Sequence, residues 1–291
     1  MGHLDPDGVL RRTRKRFIRR TYHCKGPNFL WHIDGYDKLK PFGFAIHGAI
    51  DGYSRKILWL EVAHTNNDPY VVGNYFVECV EQIGGAPVVV RGDCGTENVY
   101  VAGIQRFLRR ECQDDLAGFN SFMYGTSVAN QRIEAWWSYL RRSSTTWWIN
   151  MFKELRDQGL FDDSHILHVE CLRFCFMQPI QTELHRVARH WNTHKIRPYS
   201  HQETPHGKPD VLFFLPQLKD TRDYKTLVDR EDLEVVRDLY CKDRAECGCS
   251  DEFAEFFIML MEENGIANEI NTPEEARELY LVLLTLSENE L

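Results

Sequence analysis

The sequence predicts an α/β protein in which a mixed five-stranded sheet is flanked by helices and followed by a C-terminal helical acidic module. Three observations predict this class. Short β-type runs alternate with helical periodicity along residues 28–216. The run PVVVRGD at 87–93 is apolar enough to be buried on both faces, as strands of parallel sheets are. Residues 218–291 hold 20 Asp and Glu against 8 Lys and Arg, whereas the rest of the chain is net basic.

The first three strands are predicted to form an antiparallel meander. NFLWHID at 28–34 is a β-type run that ends on Asp34. FGFAIHGAID at 42–51 and KILWLEVAH at 56–64 are the next two strands, joined by a turn at 51–54. Strands joined by such short links pair in antiparallel fashion.

Helices and two further strands complete the predicted sheet. A helix begins at Pro69 and ends before Gly84, because Pro suits a first helical turn and Gly suits a helix end. The strand at 87–93 is followed by another helix and then by a strand at 119–126. Long helices follow, the first over 128–158. This order predicts a mixed sheet with helices packed on its faces.

The chain divides by charge and pattern into three predicted parts. Residues 1–27 form a basic N-terminal arm, residues 28–216 an α/β core with trailing helices, and residues 217–291 an acidic helical tail. The arm fits nucleic-acid binding, with a solvated or nuclear-import segment as the alternative. The acidic tail points to a protein partner or to a self-masking element. The basic residues of the arm that we predict to bind DNA are Arg11, Arg12, Arg14, Lys15 and Arg16.

Composition excludes some classes of protein. No run of 18 apolar residues occurs, so we expect no membrane span. The charged start MGHLDPDGVLRRTRKRF is not a secretory signal, so we expect a protein that is not secreted. The nine cysteines are scattered and odd in number, which favours reduced thiols in the cytosol or nucleus.

Three carboxylates stand at the ends of predicted elements. Asp34 ends the first strand, Asp93 ends the fourth, and Glu134 lies in the first turns of a helix. We expect the first and fourth strands to be neighbours, which would bring these groups to one edge of the sheet. Taken singly, such an Asp is usually a turn former and such a Glu complements the helix dipole. Together they predict a site for two Mg²⁺ (or Mn²⁺) ions, because these cations prefer oxygen ligands.

The motifs around these carboxylates carry a resemblance to a known family. WHIDGYDK, GAIDGYSRKI, RGDCGTENV and NQRIEAWW occur in this order, with forty residues between Asp93 and Glu134. This set resembles the DDE integrase catalytic core, of RNase H-like fold. The family includes retroviral and retrotransposon integrases and transposases, and the closest likeness is to integrase-core proteins of eukaryotic transposable elements. The resemblance covers roughly residues 28–215.

The resemblance implies roles for individual residues. Asp34, Asp93 and Glu134 would be the catalytic residues and metal ligands, and Asp51 would be a turn residue outside the ligand set. The implied activity is metal-dependent strand cleavage and strand transfer on DNA, that is, DNA integration. A homo-oligomer is implied because two DNA ends must be joined, and the nucleus is the expected location. The zinc-binding N-terminal module of retroviral enzymes is not found, and His23 and Cys24 cannot supply it.

Two alternatives to an active integrase remain open at this point. One is a domesticated, transposase-derived protein that binds nucleic acid or protein without catalysis. The other is a nuclease of the same fold that cleaves RNA–DNA hybrids. The complete acidic triad argues against the first alternative, and the Asp-x-x-Ser-Arg turn at 51–55 favours an integrase over the second.

The helix that carries Glu134 contains further candidates for DNA binding. Asn130, Arg132 and Arg141 flank or follow Glu134, and polar groups there could position a phosphate or a base. The alternative is a solvated helix face. The pairs Trp136-Trp137 and Trp147-Trp148 could stack on bases, although packing in the core is the favoured interpretation.

Overall fold

The computed structural model describes residues 22–125, 130–198, 205–267, 270 and 272–290. In this part of the chain, a five-stranded sheet lies between two layers of helices, each with its own apolar core. The predicted α/β class with a mixed sheet flanked by helices is therefore confirmed.

The sheet consists of β1 (Leu30–Tyr36), β2 (Ala45–Asp51), β3 (Ile57–Ala63), β4 (Val89–Gly92) and β5 (Phe122–Tyr124). Their order across the sheet is β3-β2-β1-β4-β5. The first three strands pair in antiparallel fashion, whereas β4 is parallel to both β1 and β5. The meander and the pairing of the first with the fourth strand are thus as predicted, and they bring the ends of β1 and β4 to the same edge.

Two strands differ in length from the prediction. The first strand does not end on Asp34, because Tyr36 still pairs with Ile46 of β2. The last strand has only three residues, since Gly118–Ser121 forms a 3₁₀ turn instead of extended chain. Asp34 therefore projects from within a strand, where it and the residues before and after it pair with β2.

The helices in the described ranges are bounded as follows: α1 Pro69–Ile83, α2 Val99–Leu108, α3 Gln131–Leu140, α4 Thr146–Asp157, α5 Ile166–Thr193, α6 Pro209–Phe214, α7 Arg230–Tyr240, α8 Asp251–Glu263 and α9 Pro273–Glu290. A five-residue π-helical turn joins α3 to α4. Among the described residues, none of these helices is both long enough and apolar enough to cross a membrane.

The ends of α1 illustrate how local sequence sets an element. The Asp68 carboxylate accepts the Tyr70 backbone N–H at 2.9 Å, which caps the first turn. Pro69 occupies a first-turn position that needs no hydrogen-bond donor. Gly84 ends the helix with a φ of 74°, a conformation that costs glycine little. Both predicted ends of this helix are confirmed.

The C-terminal helices pack on both faces of the α/β core. On one face, α7 contributes buried Val236 to the core formed with α1 and α2. On the other, Phe257 of α8 and Tyr280 of α9 join the core around α5. The predicted helical nature of the tail is confirmed, and its apolar side chains are shared with the core. The boundary at residue 216 stays a prediction.

The outer edge of the sheet is covered by two amide side chains of α5. Asn192 accepts the Ile57 backbone N–H at 2.8 Å and donates to the Ile57 carbonyl at 3.0 Å. Gln181 likewise accepts from Val62 N at 2.9 Å and donates to the Leu60 carbonyl at 3.0 Å. These bonds satisfy backbone groups of β3 that would otherwise form an open edge.

We expect Asn192→Ala to lower the free energy of unfolding by about 2 kcal/mol, because it leaves two backbone groups of β3 without partners. Urea denaturation followed by circular dichroism would measure this change. Asn150→Ala, at an exposed position of α4, is the matched control and should change stability by less than about 0.5 kcal/mol. Equal stability of the two variants would contradict the role assigned to Asn192.

Candidate active site

Asp34 points from β1 toward α3. It pairs with Gly48 of β2, and its Oδ2 atom accepts a hydrogen bond from Trp137 Nε1 at 2.9 Å. Trp137 lies on α3, one helical turn after Glu134. The same helix therefore carries the third carboxylate and the group that orients the first.

The close approach of Trp137 depends on Gly48. A Cβ atom at position 48 would lie 2.9 Å from Trp137 Cη2 and 3.2 Å from Leu60 Cδ1. An indole ring buried in a packed core has little room to shift by the required amount. Glycine at this strand position thus makes the bond between Trp137 and Asp34 possible.

Asp93 follows β4 directly, at the carboxyl end of a parallel pair with β1. Its Oδ1 atom accepts a hydrogen bond from the Gly95 backbone N–H at 3.1 Å and one from Asn98 Nδ2 at 2.9 Å. The bond from Gly95 closes a tight turn over residues 93–95, and the bond from Asn98 fixes the carboxylate against the start of α2. The group that holds Asp93 therefore lies on one face of the sheet, whereas the group that holds Asp34 lies on the other face.

Glu134 lies in the first turn of α3, which is anchored to β1 through Asn130. The Asn130 amide donates to the Ile33 carbonyl at 2.8 Å, and its oxygen lies 2.6 Å from His32 Nδ1. The Asn130 carbonyl accepts the Glu134 backbone N–H at 3.2 Å. These bonds dock the start of the helix beside the residue that precedes Asp34.

The three carboxylates interact electrostatically. Burial raises the pKa of Asp34 to about 7; the bond from Trp137 opposes this shift, and the negative charges of Glu134 and Asp93 add to it. The structure thus places Asp93 and Glu134 near enough to Asp34 for their charges to raise its pKa. Repulsion among them is the physical cost of this grouping.

A divalent cation suits this donor set. Mg²⁺ and Mn²⁺ bind hard oxygen ligands that carry negative charge, and a cation would reverse the rise in the pKa of Asp34. In the described ranges, however, no three His, Cys, Asp or Glu side chains are arranged closely enough to hold an ion as they stand. Side-chain rotation of the carboxylates would be part of metal binding.

Glu97, in the motif RGDCGTENV, is a fourth carboxylate at this edge that is not among the predicted metal ligands. Asn98 Nδ2 donates to Glu97 Oε1 at 2.9 Å. The pKa of Glu97 is raised, first by burial and then by the neighbouring Asp93. The Asp-x-Gly-x-Glu spacing was the available signal, since it returns the Glu toward the Asp within one turn.

Asp51 has a structural position, as the resemblance implied. It is fully buried and accepts hydrogen bonds from Asn28 N at 2.8 Å and from both Ser54 N and Ser54 Oγ at 2.7 Å. Burial raises its pKa to about 6 against the effect of these bonds. The Asp51 side chain therefore closes the turn between β2 and β3 and also joins this turn to Asn28, just before β1.

The predicted DNA-binding residues fall into different surroundings. Asn130 is buried and both its amide atoms are engaged, which favours a positioning role over the predicted DNA contact. The Arg132 guanidinium packs on the Tyr22 ring, 4.0 Å from its centroid, and burial lowers its pKa. Arg141 is exposed, and its contact with DNA stays a prediction. Outside the described residues lie Arg11, Arg12, Arg14, Lys15 and Arg16.

The tryptophan pairs mostly serve the core, as favoured from the sequence. Trp136, Trp137 and Trp148 are buried in the cluster between the sheet and the helices α3 to α5. Trp147 is 48% exposed and is the one member of the two pairs available for stacking.

We expect Trp137→Phe to weaken Mn²⁺ binding about 10-fold, because Asp34 loses the donor that orients it. Calorimetric titration with Mn²⁺ would measure the change. Trp136→Phe is the matched control, since it removes the same volume from the same helix while Trp136 Nε1 has no hydrogen-bond partner among the described residues. Equal losses in both variants would assign the effect to packing alone.

Comparison with known proteins agrees with this geometry. No curated protein matches the chain in sequence at a significant level. A family model described as integrase core domain matches residues 21–222, which include the whole sheet and all three carboxylates. The match spans more than half of the chain, and the sheet with its flanking helices is the RNase H-like arrangement. The chain therefore belongs to the integrase core domain family of the RNase H-like superfamily.

Proposed function

We propose that this protein is a metal-dependent polynucleotidyl transferase that cleaves DNA strands and joins them to a target, as in DNA integration. One observation carries the proposal: Asp93, at the carboxyl end of β4, and Glu134, at the start of α3, add negative charge beside the buried carboxylate of Asp34 on β1. A buried carboxylate beside two others is costly in a folded protein, and metal-assisted phosphoryl transfer is a function that requires such a group.

The proposed metal ligands are Asp34, Asp93 and Glu134, with Mg²⁺ or Mn²⁺ as the two ions. Bound metal would activate water or a 3′-hydroxyl and offset negative charge on the leaving oxygen. The protein groups around the ligands contribute orientation: Trp137 holds Asp34, and Asn98 holds Asp93. Such outer contacts keep carboxylates directed at one point and reduce the reorganisation that binding requires.

DNA is the proposed substrate because family membership is combined with an uneven distribution of charge. Residues 1–217 are net basic and include the arm with Arg11 to Arg20, whereas the excess of acidic residues lies beyond them. Basic residues near a carboxylate site offset the repulsion between the site and the phosphates. We further propose that the protein acts as a homo-oligomer in the nucleus, and that its acidic tail binds a protein partner.

A strand-transfer assay tests the proposal directly. The full chain would be incubated with short DNA duplexes and a supercoiled plasmid in Mg²⁺, Mn²⁺ or EDTA, and nicked or joined products would be resolved on gels. We expect metal-dependent products with the wild type and none with Asp93→Asn. Identical behaviour of the two proteins would overturn the proposal. An RNA–DNA hybrid in a parallel reaction tests the nuclease alternative, which predicts cleavage of the hybrid without joining.

A second candidate function is nucleic-acid or protein binding without catalysis, in a domesticated descendant of a transposase. The absence of a preformed three-residue metal group among the described residues favours it. Calorimetric titration with Mn²⁺ separates the two candidates. If the protein binds without catalysis, the wild type and Asp93→Asn should take up the same amount of Mn²⁺.

A further inference from the structure

Asn98 joins two acidic residues of the site through one amide group. Its side chain is fully buried at the start of α2. Asn98 Nδ2 donates to Asp93 Oδ1 and to Glu97 Oε1, both at 2.9 Å. The two hydrogens of one NH₂ group are thus used on two carboxylates, and the amide oxygen must point away from them.

His47 lies behind Asn98, on the sheet face that packs against α1 and α2. It is 1% exposed on β2, where it pairs with Gly35 and stacks on Trp59 with ring centroids 6.0 Å apart. Trp59 Nε1 lies 3.1 Å from His47 Nδ1. An indole N–H can only donate, so Nδ1 must accept and the imidazole proton must reside on Nε2.

The remaining groups of His47 and Asn98 complement each other. His47 Nε2 and Asn98 Oδ1 are buried, and neither atom has a hydrogen-bond partner in the described part of the chain. Burial lowers the pKa of His47 to about 3, and the neighbouring Asn98 side chain opposes that shift. The imidazole is therefore neutral at any pH at which the protein would work. A neutral N–H donor at Nε2 and a buried amide oxygen are chemically complementary, and buried polar groups are as a rule hydrogen-bonded.

We propose that Trp59, His47 and Asn98 form a buried hydrogen-bonded relay that positions Asp93 for metal binding. The inference rests on the proposed function, because it assigns Asp93 as a metal ligand. Trp59 fixes the tautomer of His47, which holds the Asn98 oxygen, so that the Asn98 amide must present its NH₂ group to Asp93. Without His47, the amide could rotate and place its oxygen against the Asp93 carboxylate. All three members act through Asp93 as positioning residues.

The relay differs from the support of Asp34 in both place and chemistry. Asp34 is held by Trp137 from the face that packs on α3, whereas the relay reaches Asp93 from the face that packs on α1 and α2. Since the two supports share no residue, their effects on metal binding should be additive. The sheet thus lies between Trp137, which orients Asp34, and the relay, which orients Asp93.

The test compares His47→Phe with His47→Gln in the full-length protein. Phenylalanine keeps a ring against Trp59 but removes the donor, whereas the glutamine amide nitrogen can take the place of Nε2. We expect His47→Phe to weaken Mn²⁺ binding about 10- to 100-fold by calorimetry, and His47→Gln to restore most of that loss. Asn98→Ala should match His47→Phe, and the double variant should add little to either, because both changes break the same relay.

A second readout does not involve metal. Nitrogen NMR of histidine-labelled wild type should show His47 protonated on Nε2 and neutral between pH 5 and 8, and Asn98→Ala should shift the Nε2 resonance. Asn192→Ala is the control for stability, since it removes a buried amide far from the carboxylates and should leave Mn²⁺ affinity unchanged.

The inference is overturned if His47 is protonated on Nδ1, or if His47→Phe binds Mn²⁺ as tightly as the wild type while Asp93→Asn does not. Equal losses in His47→Phe and His47→Gln would also overturn it, since they would reflect packing. Failure of the proposed function has a different signature: wild type and Asp93→Asn would then bind Mn²⁺ alike, while the NMR experiment still decides whether His47 holds Asn98.

Discussion

Replacing Asp34 with asparagine is expected to abolish strand transfer and yet to make the folded protein more stable at pH 8. The pKa of Asp34 is about 7 in the folded state against an ordinary value of 3.8. Between these values the folded state keeps a proton that the unfolded chain releases, so stability falls as the pH rises through this window. Asparagine cannot ionise and avoids the loss, which is on the order of 4 kcal/mol above pH 7.

Urea denaturation of wild type and Asp34→Asn at pH 5 and pH 8 measures this effect without any substrate. The advantage of the variant should be small at pH 5 and largest at pH 8. Asp51, whose pKa is also raised, contributes equally to both proteins and cancels in the comparison. Mn²⁺ should stabilise the wild type at pH 8 and leave the variant unchanged, because a ligand that binds only the folded state raises its stability. A constant difference between the proteins at both pH values would contradict the raised pKa.

Replacing Asp51 with alanine should have the opposite profile, with a large loss of stability and no specific loss of metal binding. Three buried donors, from Asn28 and Ser54, would lose their acceptor at once. Each unsatisfied buried group costs about 1–3 kcal/mol, so a total loss of roughly 3 kcal/mol or more is expected. The free energy of unfolding in urea would measure the loss.

Asp51→Asn is the companion variant, because it keeps one acceptor oxygen and should recover part of the stability. At a temperature where Asp51→Ala is still folded, its dissociation constant for Mn²⁺ should match that of the wild type. A variant with normal stability and no metal binding would instead place Asp51 among the ligands. Comparing variants of Asp34 and Asp51 thus distinguishes a carboxylate that is needed for metal binding from one that is needed for stability.

Much of the fold was predictable because its signals are local. Alternating apolar residues, Pro69 after Asp68 and the glycine at 84 each report the conformation of their own segment. The end of β1 was set too early at Asp34, since strand length depends on pairing with β2 and not on the strand's own residues. Likewise, the charge of the tail suggested a separate module, whereas its helices bury Val236, Phe257 and Tyr280 against the core.

The sequence by itself determined the order of the elements and singled out Asp34, Asp93 and Glu134 as candidate metal ligands. Tertiary structure alone decided which groups orient them. The donor to Asp34 is 103 residues away on α3, and it reaches Asp34 only because position 48 lacks a Cβ atom. The proposed pair of His47 and Asn98 likewise joins β2 to the start of α2. Residue type at an element end follows from short-range periodicity, but hydrogen bonds between distant elements follow from register and packing, which no local pattern encodes.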